Sequence, residues 1–149
     1  MSHLSDLELE AWQALLHAHE SITRRLDAEL RDEHDIGLGD YDVLLRLARA
    51  PDRRLRMTDL AQRAMLSPSS LTRVVDRLVE RRLVARDRSS ADNRVVHASL
   101  TDAGRKRVRA AARTHLRGIR EHFTSLLTDE QLRHVAASLQ VVTGPHEPH

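Results

Sequence analysis

The Ser67-Pro68 pair fixes the start of a helix almost to the residue. Proline lacks the N–H that the first helical position leaves unpaired, its φ is already helical, and serine is a strong N-cap before it. Upstream, Met57-Thr58-Asp59-Leu60-Ala61 predicts a short helix running to about Met65, with Thr58 as its N-cap. About two residues, Leu66 and Ser67, then separate the two helices. So short a joint excludes a long αα-hairpin and forces a tight helix-turn-helix.

The second of these helices is expected over Pro68 to about Arg81. Leu71, Val74, Val75, Leu78 and Val79 share one stripe at 100° per residue, and Ser69, Thr72, Arg73, Asp76 and Arg77 fall broadly opposite. Taken alone, the stretch supports no more than a capped amphipathic helix with a solvated arginine face. Its leading end has the make-up that entry into a DNA groove favours. Small residues let the backbone and the positive helix end approach phosphates, and longer donors one turn on reach base edges. Ser69, Ser70, Thr72 and Arg73 meet that description.

The segments after Arg81 decide between a plain surface helix and a DNA-reading one. LVARDRS and RVVHASL are β-branched segments of strand length, separated by the turn-forming cluster Ser90-Ala91-Asp92-Asn93. A basic hairpin directly after a helix-turn-helix is the winged-helix arrangement, whose tip reaches an adjacent minor groove with arginine. Arg94, close to Asp92, is placed for that role, and Arg86 and Arg88 on the first strand for phosphates.

Long helices flank this centre. Ser5 and Glu8 have capping-box spacing, and apolar residues from Leu9 to Leu30 recur at three and four, giving a helix over roughly Asp6 to Glu33. Gly37 and Gly39 are expected to supply the positive φ that ends it. A second helix spans about Tyr41 to Ala50 and is closed by Pro51, and PDRRLR reads as a charged connector. Thr101 caps a helix expected from Asp102 to about Leu127, and the Thr128/Gln131 capping box starts a last one to about Val142. The division expected is a dimerisation helix over 1–35, a DNA-binding lobe over 36–104, dimerisation helices over 105–143 and a disordered tail over 144–149. The fold class is mainly α with a small β-hairpin wing.

Charge follows the same division. Residues 51–109 carry 15 Lys and Arg against 7 Asp and Glu, whereas residues 1–50 carry 5 against 11 and the remainder 4 of each. A positive centre between acidic and neutral flanks is the footprint of a module that meets a polyanion. Lys106 is the only lysine. So strong an arginine bias fits bidentate contacts or merely genomic base composition.

Several functions are excluded by inventory. Without cysteine there are no disulfides, thiolate zinc sites or cysteine nucleophiles. No G-x-S-x-G, H-E-x-x-H or glycine-rich phosphate loop occurs, so no catalytic residues and no cofactor are expected. The ten histidines form no triad with ligand spacing, and no metal site is assigned. The N-terminus lacks a basic, apolar leader and no run is long enough to span a membrane, so a cytoplasmic, nucleoid-associated protein is expected.

From Asp59 to Gly104 the chain resembles the MarR family of bacterial winged-helix regulators, without a gap. The most specific part is D-N-R-V-V-H-A-S-L-T-D-A-G, similar to the family's wing pattern of Asp, any residue, Arg, a strand, then Leu-Thr-x-x-Gly. The resemblance implies that Arg94 is the wing-tip arginine of the minor groove, that Asp92 orients it, and that the first, fifth and sixth helices hold a homodimer. Met65 departs from it, standing where many such units turn on glycine. Family members commonly bind small aromatic or anionic effectors, and Trp12, His17, His19 and Tyr41 are candidates to line such a cleft. Trp12 reads equally well as dimer-interface core.

Together these features predict a homodimeric regulator, most simply a ligand-responsive repressor, of a pseudo-palindromic duplex DNA operator. Ser69, Ser70, Thr72, Arg73 and Arg77 would form the recognition helix's DNA face, with Arg73 and Arg77 on base edges. Two rivals stand beside it: a helical dimerisation module whose basic face meets an acidic protein, and a nucleoid-coating protein without sequence readout.

Overall fold

In the computed structural model, residues 3–88 and 94–144 are described. Helix α1 (Asp6–His34) and α2 (Leu38–Arg49) lead through a 3-10 turn (Pro51–Arg53) into β1 (Arg54–Arg56). Then come α3 (Met57–Arg63), α4 (Pro68–Glu80), β2 (Val84–Arg88), β3 (Val96–Leu100) and α5 (Asp102–His122). A second 3-10 turn (Thr124–Leu126) precedes α6 (Asp129–Thr143). The fold is thus mainly α with one small antiparallel sheet, as the periodicity predicts.

The sheet has three strands where the sequence suggested a hairpin. Its order is β1-β3-β2, with Leu55 opposite Ala98 and Arg86 opposite Ala98 from the other side. The connector PDRRLR therefore supplies a strand, which its arginines concealed: Leu55 is the one residue of β1 that turns inward. Other expectations are also corrected. The α1–α2 corner turns on Asp35 at φ +56° and not on Gly37, whose φ is −79°. Helix α2 begins at Leu38, and α3 takes Arg56 as its N-cap, so Thr58 lies inside the helix. Helix α5 stops at His122, five residues before Leu127.

The chain forms two compact units. One, Leu26–His115, contains the whole 36–104 stretch together with the last turns of α1 and the first two thirds of α5. Its core joins Leu30, Ile36, Leu44 and Leu47 to Leu60, Leu71, Val75 and Leu78, all essentially inaccessible to solvent. The α4 stripe divides as its spacing dictates: Leu71, Val75 and Leu78 are buried, with Val74 and Val79 at the margin. At about 1.5–3 kcal/mol per fully buried aliphatic side chain, those three residues anchor the helix.

The other unit comprises residues 1–25 and 116–149. Both capping boxes anticipated there form. Ser5 N–H donates to Glu8 Oε2 at 2.7 Å, and Thr128 N–H donates to Gln131 Oε1 at 2.9 Å. Many of its apolar residues remain open to solvent: Leu7 is 74% exposed, Trp12 54%, Leu126 71% and Val141 86%, and α6 fully buries no residue.

Candidate nucleic-acid interface

Two tight helix ends frame α4. Helix α3 closes in a Schellman motif: Met65, at φ +56°, donates its N–H to Gln62 O, and Leu66 donates to Ala61 O at 3.0 Å. Met65 occupies the left-handed position that glycine fills most cheaply, and its side chain is 90% exposed. Helix α4 ends the same way, with Arg82 at φ +60° donating to Val79 O and Leu83 to Leu78 O. Each motif satisfies carbonyls that a helix end otherwise leaves unpaired, so the joint between α3 and α4 is rigid and short.

The start of α4 behaves as Ser67-Pro68 predicts. Ser67 Oγ accepts Ser70 N–H at 3.2 Å and its hydroxyl donates to Ser70 Oγ at 2.9 Å. Ser69 Oγ lies 3.3 Å from the same oxygen. Thr72, on the exposed face, donates to Pro68 O at 2.8 Å, which fixes its rotamer. No acid lies in the first turn, so the positive end of the helix dipole is not neutralised.

The arginines fall into two groups. Arg73 and Arg88 are exposed and make no ion pair among the described residues. Four others on or beside α4 and the strands are held. Arg77 donates to Asp40 Oδ1 at 3.0 Å, Arg81 to Asp35 Oδ2 at 3.3 Å, Arg54 to Asp87 Oδ1 at 2.8 Å, and Arg86 is paired tightly with Asp76. Sequence reasoning missed these acids. Asp40 and Arg77 are 37 residues apart, and no local pattern announces such a pair.

Between α4 and the strands lies a groove of about 430 Å³ lined by Met57, Thr72, Arg86, Asp87, Arg88 and Val96. The structure therefore brings Thr72, Arg86 and Arg88 to one surface. Arg94 is exposed at the start of the segment leading into β3, and Asp92 lies outside the described residues. The wing's base is anchored by the Leu-Thr-x-x-Gly run. Thr101 Oγ1 donates to Arg82 O at 2.8 Å and accepts Gly104 N–H at 3.0 Å. Gly104 is required because a Cβ there would overlap the Leu83 carbonyl oxygen.

The four residues proposed for an effector cleft fall in two different units. Trp12, His17 and His19 are exposed in the unit formed by the two chain ends. Tyr41 is buried in the other unit, its ring 4.7 Å from that of His115. Burial raises the pKa of the Tyr41 phenol and lowers that of His115, whose Nδ1 is enclosed without a hydrogen-bond partner among the described residues.

A tight helix-turn-helix followed by an antiparallel wing defines a winged helix-turn-helix protein. The MarR family model matches residues 34–94. Over 96% of both chains the protein superposes on AbsC, a MarR family transcriptional regulator from Streptomyces coelicolor, with 31% identity and a TM-score of 0.89. Sco3205 from the same organism, a MarR family regulator solved in complex with DNA, matches at the same identity and TM-score over 98% of this chain and 95% of its own. The chain belongs to the MarR family of transcriptional regulators. The transcriptional repressor MdtR of Bacillus subtilis is 32% identical over 88 residues, which are 57% of this chain and 56% of that protein.

Proposed function

We propose that two copies of this chain bind one pseudo-palindromic duplex as a transcriptional repressor, each laying α4 in a major groove and its wing along the neighbouring backbone. The observation that carries this reading is the exposed face of α4. It is rigidly capped, lacks an acid in its first turn, and presents Thr72 and the exposed Arg73. Arg73 suits guanine O6 and N7, the Thr72 methyl suits thymine, and Ser69 and Ser70 suit phosphate or base contacts. Arg88 serves phosphates and Arg94 the minor groove. Arg86, with its charge shared by Asp76, contributes less to the phosphates than its position on the strand suggests.

Homodimerisation is supported by the apolar surface of the 1–25/116–149 unit. A fifteen-residue helix that fully buries no residue, as α6 does, gains little stability in water without a partner surface. Two copies placed on a two-fold axis also match a palindrome. No helix among the described residues is long and apolar enough to cross a membrane, consistent with a cytoplasmic, DNA-associated protein.

Ligand response is supported by a groove of about 310 Å³ between α2 and α5. Leu45, Ala48, Val108 and Ala112 form its apolar wall, and Arg53, Arg105 and Arg109 ring it. That chemistry suits a small anionic effector with an apolar or aromatic body.

Selection from a pool of random duplexes tests the function, with sedimentation of the free and bound protein to count chains. The expected product is an enriched palindrome bound by two chains. Retardation of every duplex alike would establish nonspecific coating, and no retardation at low salt would move the basic face to a protein partner.

A further inference from the structure

Arg77 and Arg81 lie one helical turn apart at the C-terminal end of α4, and both reach the α1–α2 corner. Arg77 donates to Asp40 Oδ1 at 3.0 Å and Arg81 to Asp35 Oδ2 at 3.3 Å. Asp40 is no ordinary surface acid. Its side chain is 10% exposed, and its other oxygen accepts the Gly37 N–H at 3.0 Å, closing the first turn of α2. The same turn is held from α1, where Asp27 Oδ1 accepts Leu38 N–H at 2.8 Å and Asp27 Oδ2 accepts Arg31 Nε–H at 2.8 Å. A chain of charge-assisted hydrogen bonds thus runs from α1 through the start of α2 to the outer half of α4.

The apolar stripe of α4 fixes how deeply the helix sits, but a cylinder seated on Leu71, Val75 and Leu78 keeps freedom to roll and tilt about that line. Removing the roll requires a directional contact off the stripe. A charge-assisted bond to a mostly buried carboxylate, itself fixed by a backbone N–H, meets that need. Arg81 with Asp35, whose side chain is 95% exposed, and Asp76 with Arg86 of β2, 53% and 34% exposed, add only weaker, screened points.

The geometry points to Arg77 and Asp40 as positioning residues for sequence recognition. By holding the roll of α4, they fix which base edges Arg73 and Thr72 meet, without Arg77 itself reading a base. This rests on α4 being the DNA-reading helix. Misplacing a donor by an ångström breaks a bidentate base contact but leaves phosphate attraction nearly intact. The pair therefore governs the ratio of specific to nonspecific affinity, not affinity at large.

The test begins with the duplex that the full-length wild-type protein enriches from a random pool. Its affinity is compared with that for random duplex for Arg77→Ala, Asp40→Ala and the double variant. If the pair acts as one unit, each of the three lowers the ratio by about the same amount, about tenfold, and random-duplex affinity does not fall. Asp40→Asn keeps the volume and an acceptor for Gly37 N–H while weakening the ionic bond. It takes the place of Asp40→Ala if that variant fails to fold, and is then expected to lower the ratio in the same direction. The proposal is overturned if Arg77→Ala lowers the ratio while the Asp40 variant binds as wild type, because Arg77 then contacts DNA directly. Additive losses, or wild-type ratios throughout, overturn it equally. A wild-type protein that enriches no sequence instead refutes the DNA-reading role of α4.

Discussion

Replacing Gly104 by alanine is the most informative single change in the wing's support. The added Cβ would overlap the Leu83 carbonyl oxygen and sit 2.7 Å from Leu100 Cδ1 and 3.1 Å from the Leu83 carbonyl carbon. The obstacle is backbone at the edge of the sheet, so no rotamer change relieves it. Forcing a methyl into such a place costs about 1–3 kcal/mol. The first turn of α5 can retreat only by loosening Thr101 N–H to Leu83 O, at 3.1 Å, and Thr101 Oγ1 to Arg82 O, each worth about 1 kcal/mol. Alanine's advantage over glycine inside a helix returns up to about 1 kcal/mol. The net expectation is a loss of about 2–4 kcal/mol, with the slope of the unfolding curve unchanged. Gly39→Ala is the control. A Cβ there meets nothing within 4 Å, so the same chemical change in α2 should stabilise by up to about 1 kcal/mol. Urea unfolding of both variants at one protein concentration measures the pair. If Gly104→Ala is as stable as wild type, or the two substitutions shift the midpoint the same way, the close packing of α5 on the Leu83 carbonyl is not what demands glycine.

Other expectations concern the helix-turn-helix joint, the arginines proposed to face DNA and the buried histidine. Met65→Gly relieves a left-handed side-chain residue at a cost in chain entropy, for a net gain of up to about 1 kcal/mol and a small rise in melting temperature. A fall would mean that the exposed Met65 side chain contributes packing in solution. Arg73→Ala should cost about 1–3 kcal/mol on the enriched duplex and relax the preference at one base pair. Arg88→Ala should weaken all sequences alike and reduce the salt slope by about 1. Equal, salt-insensitive losses at both positions would refute this division of roles. For His115, burial holds the folded pKa below its ordinary 6.5, so the unfolded chain takes up a proton first as the pH falls. Its contribution to stability is complete above pH 6.5 and is lost as the pH drops through and below that value. His115→Gln should therefore lose less stability than wild type between pH 7.5 and 5.5, and an identical loss would place the pH dependence elsewhere.

The parts of the fold legible in the sequence are those written in local chemistry. Ser67-Pro68 sets the first residue of α4, Thr128 and Gln131 that of α6, and the apolar spacing of α4 names the residues that bury. Strand β1 was illegible because three residues, two of them arginine, acquire strand character only by pairing with β3, some forty positions later. The end of α5 was illegible for another reason. No glycine or proline marks it, and Phe123 leaves helical geometry at φ −140° within a sequence that would continue a helix. Glycine also misled: the α1–α2 corner uses Asp35 in the left-handed region, and the ends of α3 and α4 use Met65 and Arg82 there.

The interface was legible in composition and obscure in detail, and the difference lies in what the arginines do. Counted as charge alone, residues 51–109 offer every basic side chain to a polyanion. In the fold, Arg54, Arg77, Arg81 and Arg86 are each held by a carboxylate, while Arg73 and Arg88 make no ion pair among the described residues. A guanidinium already paired with a carboxylate displaces few of the DNA's counterions, so the salt dependence of binding should fall below what a count of all 15 basic residues suggests. What the paired arginines supply is orientation. Four long side chains, cross-linked to acids at the α1–α2 corner and on α2, α4 and β2, tie α4 and the wing strands to their neighbours in the free protein. If α4 reads DNA as proposed, the entropy of ordering that surface is already lost in the free protein, leaving more of the contact energy of Thr72 and Arg73 to discriminate between sequences.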